Sequence, residues 1–210
     1  KIISGLVHDL RNTMTVILLS TEILSQANKH SKKDIEKISR AAKFAKGMLA
    51  NAMQIVRNEN YEFLVADIKA PVKRAVDILA YQAKEKNIIL DSSFEENLPD
   101  IKVSKIHIER IILNTVLNAM SLMPDGGVIK IRIYSDKKNL ILRVQDEGPG
   151  FPEEVLKKGI KAFNTNRKNK GGTGLGLFVC DQIMKKHSGS MSISNAEEKG
   201  SILEFRFPIK

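Results

Sequence analysis

Ile35, Ile38, Ala42, Ala45, Leu49, Ala52 and Val56 follow one another at alternating intervals of three and four residues. This seam constrains the chain more than any other stretch. Apolar residues at a mean period near 3.5 put one continuous stripe on a helix, and another helix must cover that stripe. Upstream, Leu6, Leu10, Met14 or Thr13, Ile17 and Leu24 mark a second amphipathic helix over residues 2 to about 28. Asn28 to Ser31, which include His30, read as a turn, and Ser31 is a fitting N-cap ahead of Lys32-Lys33-Asp34. Two antiparallel helices of this kind leave a long apolar face that a lone hairpin cannot bury. The expectation is a homodimeric four-helix bundle through residues 1–58.

On the first helix, the stretch His8-Asp9-Leu10-Arg11-Asn12 stands out. At about 100° per residue, His8 projects roughly 160° from the apolar stripe, and Asn12 lies within about 40° of His8. An exposed imidazole beside a carboxylate suits a nucleophile: Asp9 can orient the ring, fix its tautomer and accept its proton. A solvated surface histidine would show the same five residues, so the weight falls on the rest of the chain.

Asn58-Glu59-Asn60 is polar and marks a boundary, with a second domain over residues 59–210. The pattern there is mixed. Strands are expected at Phe63–Ile68, from Ile88, at Val128–Tyr134 and Leu140–Gln145 as a hairpin pair, and at Met191–Ser194 and Ile202–Phe207. Helices are expected from Pro71 to about Lys86, from Ser104 to about Met123, and from Leu175 to about His187. Residues 151–171 read as a long, irregular, lysine-rich segment. The fold class is α+β: a layer of helices on a mostly antiparallel sheet, behind an N-terminal helical hairpin.

Composition narrows the options little. With 42% hydrophobic but 5% aromatic residues and no Trp, the core must rest on aliphatic side chains. A net charge of +10 suits an anionic partner of several kinds. The basic residues are not interleaved with aromatics as in a nucleic-acid binder, so no direct nucleic-acid contact is expected. The single cysteine, Cys180, lies among Leu177, Phe178 and Val179 and reads as core. No run is long and apolar enough to span a bilayer, and no signal-peptide pattern is present. The segment is therefore expected to be cytoplasmic, without membrane contact of its own, and part of a longer protein whose membrane anchoring it does not reveal.

Three features carry chemistry in the second domain. Asn114 and Asn118 share one helix face, where amides can ligate a hard cation or bond phosphates. Asp146-Glu147-Gly148-Pro149-Gly150 follows a strand directly. A carboxylate there can accept a hydrogen bond from an exocyclic amine such as adenine's, and the glycines admit a flat ligand. Gly171-Gly172-Thr173-Gly174-Leu175-Gly176-Leu177 opens a helix, where backbone N–H groups and the helix dipole favour phosphate. It is neither a Walker A loop nor a Rossmann turn. Between the second and third lie Lys157, Lys158, Lys161, Arg167, Lys168 and Lys170, expected as a mobile cationic lid.

In this order the motifs resemble the catalytic core of a bacterial two-component sensor histidine kinase, over nearly the whole chain. His8 to Asn12 resemble the H box, Asn114 to Met120 the N box and Asp146 to Gly150 the first glycine box. Phe163 falls at the F box, and Gly172 to Leu177 match the second glycine box. The resemblance implies a Bergerat-type two-layer α/β sandwich that binds ATP and Mg²⁺. His8 would be the phosphoacceptor and Asp9 its general base. Asn118, supported by Asn114, would hold the metal. Asp146 would read adenine, with Gly148 and Gly150 giving access. Gly172, Thr173, Gly174, Leu175 and Gly176 would frame the phosphates, with Phe163 and Arg167 from the lid. The implied partner is a response-regulator receiver domain, and Asp9 with Asn12 matches the family's phosphatase pattern.

Two departures bear on this. Thr13 stands where many members have Pro, and Ser121 where many have Lys or Arg. The run Asn118 to Gly127 is closer to the nitrogen-type kinases. A rival is a hydrolytic ATPase of the same fold, which would need Glu at position 114 to activate water. Another is a non-catalytic relay or binding module.

Overall fold

The computed structural model describes residues 12, 14–24, 35–39, 42, 43, 45, 61–160 and 175–209. His8, Asp9, Phe163, Arg167, Gly172, Thr173, Gly174, the turn at 28–31 and the lower half of the seam lie outside the described residues. The described residues fall into two units, taken separately here: the N-terminal helical residues, and a body formed by residues 61–160 with 180–209.

Residues 14–24 and 35–39 are helical, on the two expected helices. The buried line on the first runs through Leu18 and Thr21, not through Leu24, which is 55% exposed. The stripe expected from apolar residues alone is thus displaced by a polar one. Thr21 is tolerated there because its hydroxyl donates to the carbonyl of Leu18 at 2.8 Å, so no polar group is buried unpaired. On the second helix Ile35 and Ala42 are buried, whereas Ile38 is exposed. Val16, Leu19 and Ile23 are exposed as well.

The body holds a five-stranded sheet in the order β2-β4-β5-β7-β6 and a two-stranded one, β1-β3. The strands are β1 Leu64–Ala66, β2 Ile88–Phe94, β3 Ile101–Val103, β4 Gly127–Ser135, β5 Asn139–Asp146, β6 Ser190–Asn195 and β7 Ser201–Pro208. The helices are α1 Lys69–Glu85, α2 Lys105–Leu122, α3 Glu153–Lys158 and α4 Gly176–Lys186. β2 runs parallel to β4 and every other pair is antiparallel, so the sheet is mixed.

Period-two alternation explains the layers. Ile129, Ile131 and Ile133 of β4, Leu140, Leu142 and Val144 of β5, and Leu203, Phe205 and Phe207 of β7 are buried. Lys130 is exposed and Arg132, Arg143 and Glu204 are half-buried on alternate positions. The helices supply the other half of the core through Val72, Ala75 and Leu79 of α1 and Ile108, Ile111, Ile112, Val116 and Met120 of α2. Each of these side chains larger than Ala contributes about 1.5–3 kcal/mol on burial, which lets the body dispense with Trp.

Two expectations need correction. Residues 151–171 are not irregular at their start, since Glu153–Lys158 form α3. Lys157 and Lys158 there pair with Glu153 and Glu154 one turn back, at 2.9 and 2.7 Å, so they are not free lid cations. β3 was not expected; Ile101–Val103 is too short to show periodicity, and pairing with β1 creates it.

The start of α2 is set by tertiary contacts. The Ser104 N–H donates to Nε2 of His187 at 3.0 Å, and His187 Nδ1 lies 2.8 Å from the Ile183 carbonyl. Both bonds together require the neutral ring with its proton on Nδ1. Burial also holds the His187 imidazole below its usual pKa. The Tyr61 ring stacks on His107 at 3.7 Å between centroids, and Phe63 and Phe207 meet His187 edge-on.

Candidate nucleotide site

Asp146 ends β5 and is 3% exposed. A carboxylate so buried must be fully hydrogen-bonded. Its Oδ1 accepts from the backbone N–H of Gly148 at 2.7 Å and of Ser201 at 3.3 Å, and its Oδ2 accepts from the Ser201 hydroxyl. These donors fix the carboxylate's orientation, and an ionised carboxylate retains lone pairs for one further donor.

The glycines beside it have specific reasons. A Cβ on Gly148 would lie 2.8 Å from Asp146 Oδ1 and 3.6 Å from the Leu122 side chain. Its absence lets the loop close over the end of α2. Gly200, with φ +103°, approaches Asp146 so closely that a Cβ would sit 1.7 Å from the Asp146 carbonyl oxygen. On the other flank, the Glu147 carboxylate accepts from the Val128 N–H at 2.9 Å, tying the loop to the start of β4.

α2 brings the two asparagines to this end of the sheet, and they differ. The Asn114 side chain lies beside the buried Cys180 thiol and is already engaged. Asn118 is half-buried, and its carboxamide has no hydrogen-bond partner among the described residues. The amide able to take a ligand is therefore Asn118. Cys180 is core as expected: it is buried, and burial pushes its thiol up to about 12.

Among the described residues no cluster of three His, Cys, Asp or Glu can hold a metal alone. The half-buried Asn118 carboxamide offers a carbonyl oxygen, a ligand of the kind a hard cation takes. Leu175 is buried and Gly176 begins α4, so the last residues of the glycine-rich run do open a helix. Asn12 is helical and exposed. Ser201, Gly200 and the Glu147–Val128 bond were not foreseen. The one sequence signal was a Gly-Ser pair just before the last strand, which has no chemical meaning until β7 is placed beside β5.

A two-layer body with a buried carboxylate at a strand end, glycines around it and an amide-bearing helix adjoining defines an ATP-binding sandwich of the Bergerat type. The family model for the "Histidine kinase-, DNA gyrase B-, and HSP90-like ATPase" matches residues 104–210, and the chain belongs to that family. Relatives carry kinase names, in line with the resemblance seen in the motifs. Sporulation kinase C of Bacillus subtilis (strain 168) is 26% identical over 211 residues, covering 100% of this chain and 49% of that protein. Sporulation kinase A of the same organism is 29% identical over 218 residues, covering 100% of this chain and 34% of that protein. The chain thus spans half or less of the length of these relatives. Among solved structures, full-length ShkA in complex with AMPPNP superposes with a TM-score of 0.74 at 18% identity, over 98% of this chain and 45% of that one. Histidine kinase ThkA in complex with the response regulator protein TrrA gives 0.73 at 21%, over 98% and 60%. At these identities the two likenesses establish the fold alone.

Proposed function

We propose that the chain is the ATP-dependent autokinase core of a two-component sensor kinase, with residues 1–58 as dimerisation and phosphoacceptor hairpin and residues 59–210 as ATP-binding domain. The observation that carries this reading is the Asp146 carboxylate at the end of β5, pinned by Ser201 and Gly148 where the glycine-bearing loop begins. Asp146 accepts the adenine amino group. Asn118 would hold Mg²⁺ through its carbonyl oxygen, where the ion would neutralise phosphate charge, and Gly172 to Gly176 would give the phosphates backbone N–H donors. A nitrogen of His8 attacks the terminal phosphorus of ATP, the bond to the bridging oxygen breaks, ADP leaves, and Asp9 takes the imidazole proton. The phosphoryl group then passes from His8 to an aspartate of a receiver domain. In the reverse sense, Asn12 positions a water against the receiver's phosphoaspartate.

The hydrolytic reading is weaker. Position 114, where a general base would stand, carries an amide, which cannot take a proton from water. The test is incubation with terminally labelled ATP and Mg²⁺, for the native chain and for His8→Gln. The expected result is acid-labile, alkali-stable label on the native protein and none on the variant. Label that survives in His8→Gln removes His8 as acceptor. Phosphate release without protein label, equal in both, establishes the ATPase instead.

A further inference from the structure

Ser201 holds Asp146 where the D-E-G-P-G loop begins. The strand partner of Ser201 is Asn195, the last residue of β6. Asn195 grips the same loop where it ends. Its Oδ1 accepts from the Phe151 N–H at 2.7 Å, and its Nδ2 donates to the Phe151 carbonyl at 3.0 Å. One side chain thus satisfies both backbone groups of a residue that has no strand or helix partner of its own. Proline follows Phe151, and the first N–H bonds of α3 go to Pro152. Nothing else in the local backbone replaces the clasp.

The clasp also accounts for the second glycine of the motif. Gly150 has φ +76°, and a Cβ there would lie 2.8 Å from Asn195 Oδ1 and 3.2 Å from Nδ2. The loop gives up a side chain so that the carboxamide can reach the backbone behind it. The turn between β6 and β7 is closed by the Ala196 N–H on the Gly200 carbonyl at 3.0 Å. Asn195 and Ser201 are therefore held at a fixed separation, and one hairpin end sets both ends of the loop.

We propose that Asn195 is a positioning residue for the nucleotide. Through Phe151 it fixes the exit of the glycine loop, and so sets the backbone at Gly148 and Gly150 along which the adenine base would lie. This rests on the reading of Asp146 as the adenine contact. Asn195 touches no reacting atom, so its effect falls on nucleotide affinity and not on phosphoryl transfer. The carboxamide supplies donor and acceptor from one planar group; Asp retains the acceptor alone, and Ala retains neither.

The experiment compares the native chain with Asn195→Ala and Asn195→Asp in two measurements. One is autophosphorylation as a function of ATP concentration. The other is hydrogen exchange of the Phe151 amide in nucleotide-free protein. The expected result for Asn195→Ala is a KM for ATP raised about tenfold, a change of about 1.4 kcal/mol. The kcat should stay within about twofold, since no transition-state contact is lost. The Phe151 amide should exchange faster. Asn195→Asp should raise KM by a smaller factor, keep the Phe151 amide protected, and carry the test if the alanine variant fails to fold. An unchanged KM in both variants, or a fall in kcat matching the rise in KM, overturns the proposal. A native chain that binds no ATP while Asn195 still protects Phe151 removes the nucleotide reading, and the positioning role with it. A chain that binds ATP equally with and without the carboxamide removes the positioning role alone.

Discussion

His187 illustrates how one side chain takes its chemistry from its surroundings. Its Nε2 accepts the Ser104 N–H and its Nδ1 faces a carbonyl, so the folded body accommodates only the neutral ring. Burial lowers its pKa from the ordinary 6.5. A histidine whose folded pKa is depressed binds its proton more readily in the unfolded chain. Its contribution to stability is therefore complete above about pH 6.5 and is lost as pH falls through that value toward the lowered one. The midpoint of urea unfolding should fall between pH 7.5 and 5.5, by up to about 1.4 kcal/mol per pH unit for this one proton. His187→Gln should be less stable at pH 7.5 and show a shallower slope. Equal slopes for the two proteins would rule out His187 as the titrating group. Asn118 and Asn114 show the same principle. Both belong to one helix face by spacing, yet only Asn114 lies beside the buried thiol of Cys180, and Asn118 has no side-chain bond among the described residues.

Among the elements, the β6–β7 hairpin matters most to the site, and its glycine is the sharpest test. Gly200 combines φ +103° with a Cβ position 1.7 Å from a backbone oxygen that cannot rotate away. Gly200→Ala should cost about 4 kcal/mol or more by urea unfolding, as expected where backbone must move. Gly159 is the control: its φ is +71°, but nothing lies within 4 Å of its Cβ position. Gly159→Ala should cost only the backbone term for a positive φ with ψ near 180°, about 1–3 kcal/mol. Similar losses at both sites would mean that the contact with Asp146 is relieved by a small shift. Element positions were largely legible in the sequence. The hairpin β4–β5, helix α2 and the closing strands lie within a residue or two of their expected bounds, because periodicity there runs over several turns or pleats. α3 and β3 were missed because a helix of six residues and a strand of three are too short to display a period.

For the whole molecule, the exposed apolar residues of the N-terminal helices weigh most. Val16, Leu19, Ile23, Leu24 and Ile38 are each at least half exposed in a single chain. An apolar face of that extent on paired helices favours association. The native chain should be a dimer by light scattering at about 10 µM, a concentration at which interfaces of ordinary size are occupied. Leu19→Glu with Ile23→Glu, one turn apart, should yield a monomer that still binds ATP. A monomeric native chain would refute the bundle. No helix among the described residues is long and apolar enough to cross a membrane.

By itself the sequence determined what depends on neighbours along the chain: helix and strand positions, the mixed α+β order, and glycines at a strand end and a helix start. These follow from periods of 2 and 3.6 residues and from backbone permissiveness, both short-range properties. Tertiary structure alone decided which groups the site uses. Ser201 reaches Asp146 across 55 residues, and Asn195 reaches Phe151 across 44. Strand register brings those pairs together, and no local pattern encodes register between strands so far apart. It likewise decided that Asn114 is engaged while Asn118 has no side-chain bond among the described residues, and that His187 is neutral. In each case the deciding energy is the desolvation of a buried polar group, which is fixed only once the folded chain supplies or withholds its partner.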